Sequence, residues 1–419
     1  MSSKAKVVLD LPTLAAALES SRSDHGFHIV PYQEIEIVLM TTFPFKSGLA
    51  EIERRVALHR GISVAAALGP ITAQSLESGV RREEQTILDT PMRSFVLASN
   101  LSFTRFAMPR SQQFHGVITL VRSLPRQILE ARAAEEAQIP EEDRFVSGYS
   151  GVLAKVKGRS AHHAFDLAVS KLDLLRGIWN LAHNRRRVWG SSSDPTQPVN
   201  RIRFSRIHTV HDSRGGLATT NYWFNPEFRS ESSTSLSDVE WNRMQAFLRS
   251  VQQHLAVIPY RSDVERAIVH YGRALDATDM ESAFLKLWSV LEFVSGLGGE
   301  KYDKLLARTA FLFKPDRVTS LVLEHLRYQR NEAVHLGNPQ SEMRPLVYQL
   351  KFYVERMIAF HMALGRHFTD LDEASRFMDL SQPAGTLRRR VELIERALKY
   401  RQIRRPTKPK PQRPRADAE

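Results

Sequence analysis

The segment YQRNEAVHLGNP, residues 328–339, places three side chains suited to phosphate chemistry close together. Arg330 carries a planar fork of donors that matches phosphate oxygens, and His335 titrates near neutral pH and can therefore move protons. Asn331 follows the arginine directly, and its amide can orient a histidine or a phosphate. These residue types predict an acid–base site that acts on a phosphate ester. The plainer alternative is a capped helix with a few polar residues.

Helical spacing would bring these side chains to one edge of the protein. Asn331 and His335 are four residues apart and share a helix face. We expect Leu326 and Val334 on the apolar side of the same helix, so the polar group lies beside the core. Gly337 ends the helix within one turn of His335, which leaves the imidazole where a ligand can enter.

A second helix, MESAFLKLWSVLEFVSGLG (280–298), supplies a carboxylate. Glu292 flanks the apolar stripe of this helix, and an unpaired charge in such a place is costly. Arg330 or His335 is the expected partner. The stripe itself is formed by Phe284, Leu287, Trp288, Leu291 and Ser295.

Together these features resemble the HEPN domains, in particular their ApeA-like branch. LWSVLEF (287–293) and LRYQRNEAVHLG (326–337) carry the resemblance. HEPN ribonucleases are helical bundles marked by Arg, four to six residues and His, often with Asn directly after the Arg, and residues 330–335 fit this pattern. The Trp-x-x-x-Glu of the preceding helix is a second match. The resemblance covers residues 238–400, and Leu336 stands where the family often has Gly.

The resemblance implies a metal-independent endoribonuclease that is active as a homodimer through the HEPN domain. The ribose 2′-OH of RNA would attack the neighbouring phosphorus and leave a 2′,3′-cyclic phosphate, so DNA should resist cleavage. In such a site His335 would move protons and Arg330 would stabilise charge on the phosphoryl oxygens. Asn331 would orient the histidine or the phosphate, and Glu292 would hold Arg330 or His335. We expect no cofactor and no metal.

The same resemblance suggests a role in antiviral (phage) defence through abortive infection, or in toxin-like growth control. Residues 1–235 would then sense a phage-derived or nucleic-acid trigger and restrain the nuclease. Two alternatives remain open. The HEPN bundle could be a non-catalytic RNA-binding or regulatory module, or Arg330, Asn331 and Glu292 could form only a buried polar network in a structural protein.

Other motifs are weaker. Arg176 and His183 satisfy the loose Arg–His pattern, but no Asn follows the arginine and Trp179 is expected in the core, so we predict a structural role for this segment. His208 and His211 could serve as metal ligands. In a strand, however, residues three apart point to opposite faces, which argues against a metal site.

The amino-acid composition limits the cellular compartments in which the protein is expected. The chain has no cysteine, which excludes disulfides and thiolate zinc sites, and 42% of its 419 residues are hydrophobic. No window approaches the roughly 20 apolar residues that a spanning helix needs. The first apolar run is broken by Asp10 and Pro12 and does not resemble a secretory signal. These features predict a globular cytoplasmic protein with no membrane association.

The net charge of +13 is concentrated at one end of the chain. Residues 388–419 contain twelve Lys and Arg against four Asp and Glu, a net of +8. The Pro/Arg-rich segment 401–419 has almost nothing to bury, which predicts a disordered tail. Such a tail is either an electrostatic arm for RNA or a solubilising extension.

Periodicity predicts an α+β fold. Residues 1–235 are expected to be mixed α/β, with strands in 29–43, 93–103 and 114–124 and a long helix in 158–186. A Ser-rich linker at 230–241 would then separate this region from an all-α bundle at 236–400. Seven bundle helices are predicted, at 238–257, 262–275, 279–296, 301–313, 317–336, 342–367 and 385–401.

Overall fold

The computed structural model describes residues 10–401, except 24–25, 106–110, 115, 138–139, 141–147, 187–197, 226, 230–232, 299–300, 315, 337–341 and 381–382. The chain has an α+β fold with a helical C-terminal part, as predicted. Residues 402–419 of the predicted tail lie outside the described ranges. Within those ranges, every helix is too short or too polar to cross a bilayer.

Within residues 1–235, helices and a sheet combine as predicted, and the first elements form a small helical layer. Ile29–Thr42, predicted as a strand, is helix α2. The strand prediction was wrong because β-branched residues dominate this segment, but Ile35 and Leu39, one helical turn apart, pack into a shared core with the neighbouring helices. The remaining elements are helices α1 (Leu11–Ser20), α3 (Glu51–Ala67) and α4 (Ala73–Leu88), with a short hairpin of β1 (Arg22–Ser23) and β2 (Gly26–Phe27).

A six-stranded antiparallel sheet follows. Its strands, in spatial order, are β5 (Ser111–Phe114), β6 (Ile118–Val121), β7 (Ser150–Gly158), β3 (Arg93–Leu101), β8 (Ile207–His211) and β9 (Trp223–Phe224). The strand predicted at 93–103 is confirmed, and the range predicted at 114–124 contains a shorter strand, Ile118–Val121. The central pair is long, running from Arg93 opposite Gly158 to Leu101 opposite Ser150. Two further strands, β4 (Phe103–Arg105) and β10 (Thr234–Leu236), form a separate pair.

Helix α6 (Ala161–Asn184) joins the sheet to the helical part, while α5 (Arg126–Ala137) connects β6 to the segment before β7. Trp179 of α6 is fully buried in an aromatic cluster, with ring centroids 6.0 Å from Phe103, 5.4 Å from Phe114 and 5.7 Å from Trp241. The sheet, α6 and the helix that contains Trp241 therefore pack around one shared core.

The C-terminal helices match the seven predicted ranges closely, and one further helix, α13, was not predicted. Helix α7 begins at a capping box in which Ser237 and Glu240 exchange hydrogen bonds. The helices are α7 (Asp238–Leu255), α8 (Arg261–Asp276), α9 (Met280–Val294), α10 (Tyr302–Ala310), α11 (Arg317–Leu336), α12 (Met343–Leu364), α13 (Leu371–Met378) and α14 (Ala384–Tyr400).

Close packing joins the two sides of the boundary predicted at residue 235. Part of the predicted linker, Thr234–Leu236, is strand β10 and pairs in parallel with β4. Helices α6 and α8 cross at two glycines, Gly177 and Gly272, where a Cβ on Gly177 would lie 2.8 Å from the carbonyl oxygen of Ile268. The division into two domains stays a prediction.

Candidate functional site

Helix α9 holds the predicted carboxylate against its own tryptophan. Asp279 caps the helix by accepting hydrogen bonds from the backbone N–H groups of Glu281 and Ser282. The predicted apolar stripe is confirmed, since all five of its residues are buried. The Trp288 indole N–H donates to Glu292 Oε1 at 2.7 Å, and this bond between residues one turn apart fixes the carboxylate at the rim of the core.

Helix α11 presents the Arg-Asn pair beside α9. Leu326 is fully buried, as predicted, and anchors the helix. Val334 is 48% exposed, so its placement on the apolar side was wrong; Ala333 is the buried residue of that turn. Arg330 and Asn331 are both half-buried. His335 belongs to the last turn of α11, but its side chain lies outside the described part of the structure.

Tyr302, the first residue of α10, connects the two helices and was missed in the sequence. Its ring centroid lies 6.1 Å from that of Trp288, and the Arg330 guanidinium carbon lies 5.0 Å above the ring. Burial, followed by the charge of Glu292, raises the pKa of the Tyr302 hydroxyl, while Arg330 opposes this rise. No local pattern marks Tyr302 in the sequence, because its role depends on the packing of α10 between α9 and α11.

Glu292 was expected to pair with Arg330 or His335. It forms no ion pair with Arg330 in the described structure, and the side chain of His335 lies outside that part. Among the described side chains, no carboxylate pairs with Arg330, which donates a hydrogen bond from Nη1 to Asn331 Oδ1 at 3.3 Å. The arginine is instead held by the face of Tyr302, a cation–π contact that leaves most of its five N–H donors without a partner among the described side chains. A positioned guanidinium of this kind can receive an external anion such as a phosphate.

In the second Arg–His segment, the arginine is buried and paired with carboxylates, which agrees with the structural role predicted for it. Arg176 is buried and donates from Nη2 to Asp173 at 2.8 Å, while Nη1 lies 2.6 Å from a carboxylate oxygen of Asp276. His183 lies in the last turn of the same helix and is half-buried. The arginine thus joins α6 to α8 through paired buried charges, which are stable only when matched in this way.

The two histidines of β8 are held by protein partners. His208 Nδ1 lies 2.7 Å from Ser99 Oγ, and burial lowers the pKa of His208 to about 4. His211 lies 2.8 Å from Thr209 Oγ1 and 3.0 Å from the Gly215 carbonyl oxygen. Within the described ranges, no three His, Asp or Glu side chains are arranged to hold a metal ion.

Comparison with known proteins gives no match: no family model, no curated protein and no solved structure is similar to this chain. The functional argument therefore rests on the residues and their geometry.

Proposed function

We propose that the protein is a metal-independent endoribonuclease whose site lies where α9, α10 and α11 meet. The observation that carries the proposal is Arg330, which is held on the Tyr302 ring without a carboxylate partner among the described side chains. His335 follows Arg330 by five residues, about 7.5 Å along the axis of the same helix at the usual rise. A phosphodiester bound at Arg330 would extend from there toward the last turn of α11, to which His335 belongs.

The reaction is an internal transfer at phosphorus. The 2′-oxygen of the ribose forms a bond to phosphorus, the bond from phosphorus to the 5′-oxygen breaks, and the products are a 2′,3′-cyclic phosphate and a 5′-hydroxyl. One proton leaves the 2′-OH and another is delivered to the 5′-oxygen, so two proton-transfer groups are required. His335 supplies one, and His335 of a second copy supplies the other. Arg330 stabilises the charge that grows on the phosphoryl oxygens.

A second copy of the chain is therefore part of the proposal, and α14 offers a surface for it. No residue of α14 is buried, and its apolar residues recur at the spacing of a coiled-coil seam. In a parallel pair, Arg390 of one copy and Glu395 of the other would occupy facing positions with opposite charge. The seam residues are Leu387, Val391, Ile394 and Leu398.

Light scattering tests the dimer. Val391→Glu places a charge in the seam of α14 and should convert a dimer to a monomer, while Arg389→Glu, on the outer face of the same helix, should leave the dimer intact. A wild-type monomer would remove the composite site from the proposal.

The biological role that fits such an activity is antiviral (phage) defence or toxin-like growth control, because unrestrained RNA cleavage would harm the cell. The N-terminal half would restrain the nuclease until a phage-derived or nucleic-acid trigger arrives.

Product chemistry tests the reaction. A labelled single-stranded RNA is incubated with the full chain, with and without extract of phage-infected cells, and the ends are analysed. We expect a 2′,3′-cyclic phosphate end and no cleavage at a position carrying a single 2′-deoxy substitution. Salt-sensitive RNA binding with no cleavage under either condition would favour a non-catalytic RNA-binding module instead.

A further inference from the structure

A pocket of about 520 Å³ lies beside α9, between α6, the β8–β9 edge and α8. This volume falls in the range of small-ligand sites. Three phenylalanines from different segments, Phe165, Phe204 and Phe224, line its apolar part. Phe224 is 46% exposed, and the Arg206 guanidinium covers one face of its ring at 4.0 Å.

Buried charged groups form the floor of the pocket. Asp173 and Arg176 are paired there at 2.8 Å and are 3% and 2% exposed. The Nε of Arg176 is buried and has no hydrogen-bond partner among the described atoms. His208 also lines the floor, and its lowered pKa keeps the ring neutral near pH 7. A neutral imidazole with one nitrogen held by Ser99 can offer the other nitrogen to a ligand.

Two half-exposed cations stand at the mouth. Arg273 binds Asp173 through Nε and Nη2, at 2.8 and 2.7 Å, which leaves the Nη1 edge of its guanidinium for another partner. Lys286 contacts Glu227 at 3.3 Å, which uses one of its three ammonium donors. The Asp173 carboxylate of the floor is thus buried and paired, whereas the mouth presents Arg273 and Lys286 beside the half-exposed carboxylate of Glu227.

We propose that this pocket binds a nucleotide, with the base against the phenylalanines and the phosphate on Arg273 and Lys286. Aromatic walls favour a planar base, and a guanidinium beside an ammonium favours a phosphate. The nucleotide is either a free mononucleotide or one residue of an RNA strand.

The position of the pocket connects it to the site described above. Ser289 lines the pocket and precedes Glu292 by three residues, so the pocket wall and the predicted carboxylate are separated by roughly 4.5 Å along α9. An occupant would therefore contact the helix that holds Trp288 and Glu292. This connection rests on the proposed function, but nucleotide binding itself does not.

Isothermal titration of the full chain with AMP, GMP, CMP, UMP, inorganic phosphate and a short RNA tests the inference. Arg273→Ala should weaken nucleotide binding roughly tenfold or more, because a charge-assisted hydrogen bond is lost. The matched control is Arg266→Ala, which removes an arginine of the same helix that has similar exposure and also pairs with an aspartate. Ser289→Phe fills the pocket without altering its charges and should abolish binding, and circular dichroism verifies that each variant is folded.

Each outcome decides the question. Mononucleotide binding with this pattern of variants supports a free ligand, and binding of the RNA alone with the same pattern supports an RNA residue. No saturable binding, binding unaffected by Arg273→Ala and Ser289→Phe, or phosphate bound as tightly as a nucleotide would overturn the inference. Mononucleotide binding is measured at the pocket and RNA cleavage at the α9–α11 site, so failure of the cleavage proposal and failure of this one are distinguishable.

Discussion

A buried histidine should make the protein sensitive to acid. His361 of α12 is 1% exposed, and its Nε2 donates to the Val294 carbonyl oxygen, the last residue of α9, at 2.7 Å. Its Nδ1 then accepts from the Tyr260 hydroxyl at 3.0 Å. The neutral ring has both nitrogens satisfied, and burial lowers the pKa of His361 to about 4.

The sign and size of the effect follow from this pKa. The unfolded chain binds a proton near pH 6.5, whereas the folded chain resists protonation until about pH 4. Stability is therefore fully present above about pH 6.5 and is lost as the pH falls toward 4. Each unit of difference between the unfolded and folded pKa values corresponds to about 1.4 kcal/mol. His361 alone should therefore lower the free energy of unfolding by about 2 kcal/mol at pH 4.5 relative to pH 7.

Urea unfolding at pH 7 and pH 4.5, followed by tryptophan fluorescence, measures this loss. His361→Gln keeps a polar side chain at the site but cannot be protonated, so its loss between the two pH values should be smaller than that of the wild type by about 2 kcal/mol. His254→Gln, at an exposed position of α7, should leave the wild-type loss unchanged. Equal pH dependence in wild type and His361→Gln would refute the linkage.

Three further predictions concern packing and the site. Gly177→Ala should lower the free energy of unfolding by about 1–2 kcal/mol in urea titrations, because the new methyl would lie 2.8 Å from a backbone oxygen of α8; an unchanged midpoint would contradict the close crossing. Lys351→Met should lower the free energy of unfolding by about 3 kcal/mol in the same titration, because it leaves the Glu355 carboxylate buried without the ammonium 3.0 Å away. An unchanged free energy would show that the hydrogen bond from Tyr271 is enough to stabilise buried Glu355. Trp288→Phe removes the donor that fixes Glu292 and should reduce RNA cleavage about tenfold in a variant that circular dichroism shows to be folded. Full activity would exclude a positioning role for that carboxylate.

Much of the helical part could be predicted from the sequence, because its helices carry local signals. Capping residues such as Ser237 and Asp279 lie where the helices begin, and apolar residues recur every three or four positions. The strand prediction for the α2 segment was wrong because β-branched residues favour a strand in isolation, whereas contacts with distant helices stabilise a helix there.

The candidate site was predicted in its components but not in its contacts. The sequence placed Trp288, Glu292 and Arg330 on two helices, and these helices do meet. The sequence could not reveal Tyr302 between them, nor that Arg330 rests on this ring instead of pairing with Glu292, because both facts depend on how α10 packs. No sequence pattern marks the pocket proposed to bind a nucleotide, because its walls come from segments more than 100 residues apart.

The decisive measurement is cleavage of a labelled single-stranded RNA in EDTA by the wild type, Arg330→Ala and His335→Ala. Arg327→Ala is the matched control, because it removes an arginine of the same helix that is paired with Asp303 at 2.6 Å. We predict metal-independent cleavage by the wild type and Arg327→Ala, and a loss of about a hundredfold or more in folded Arg330→Ala and His335→Ala. Cleavage at the wild-type rate by either of these two variants would contradict the proposed site.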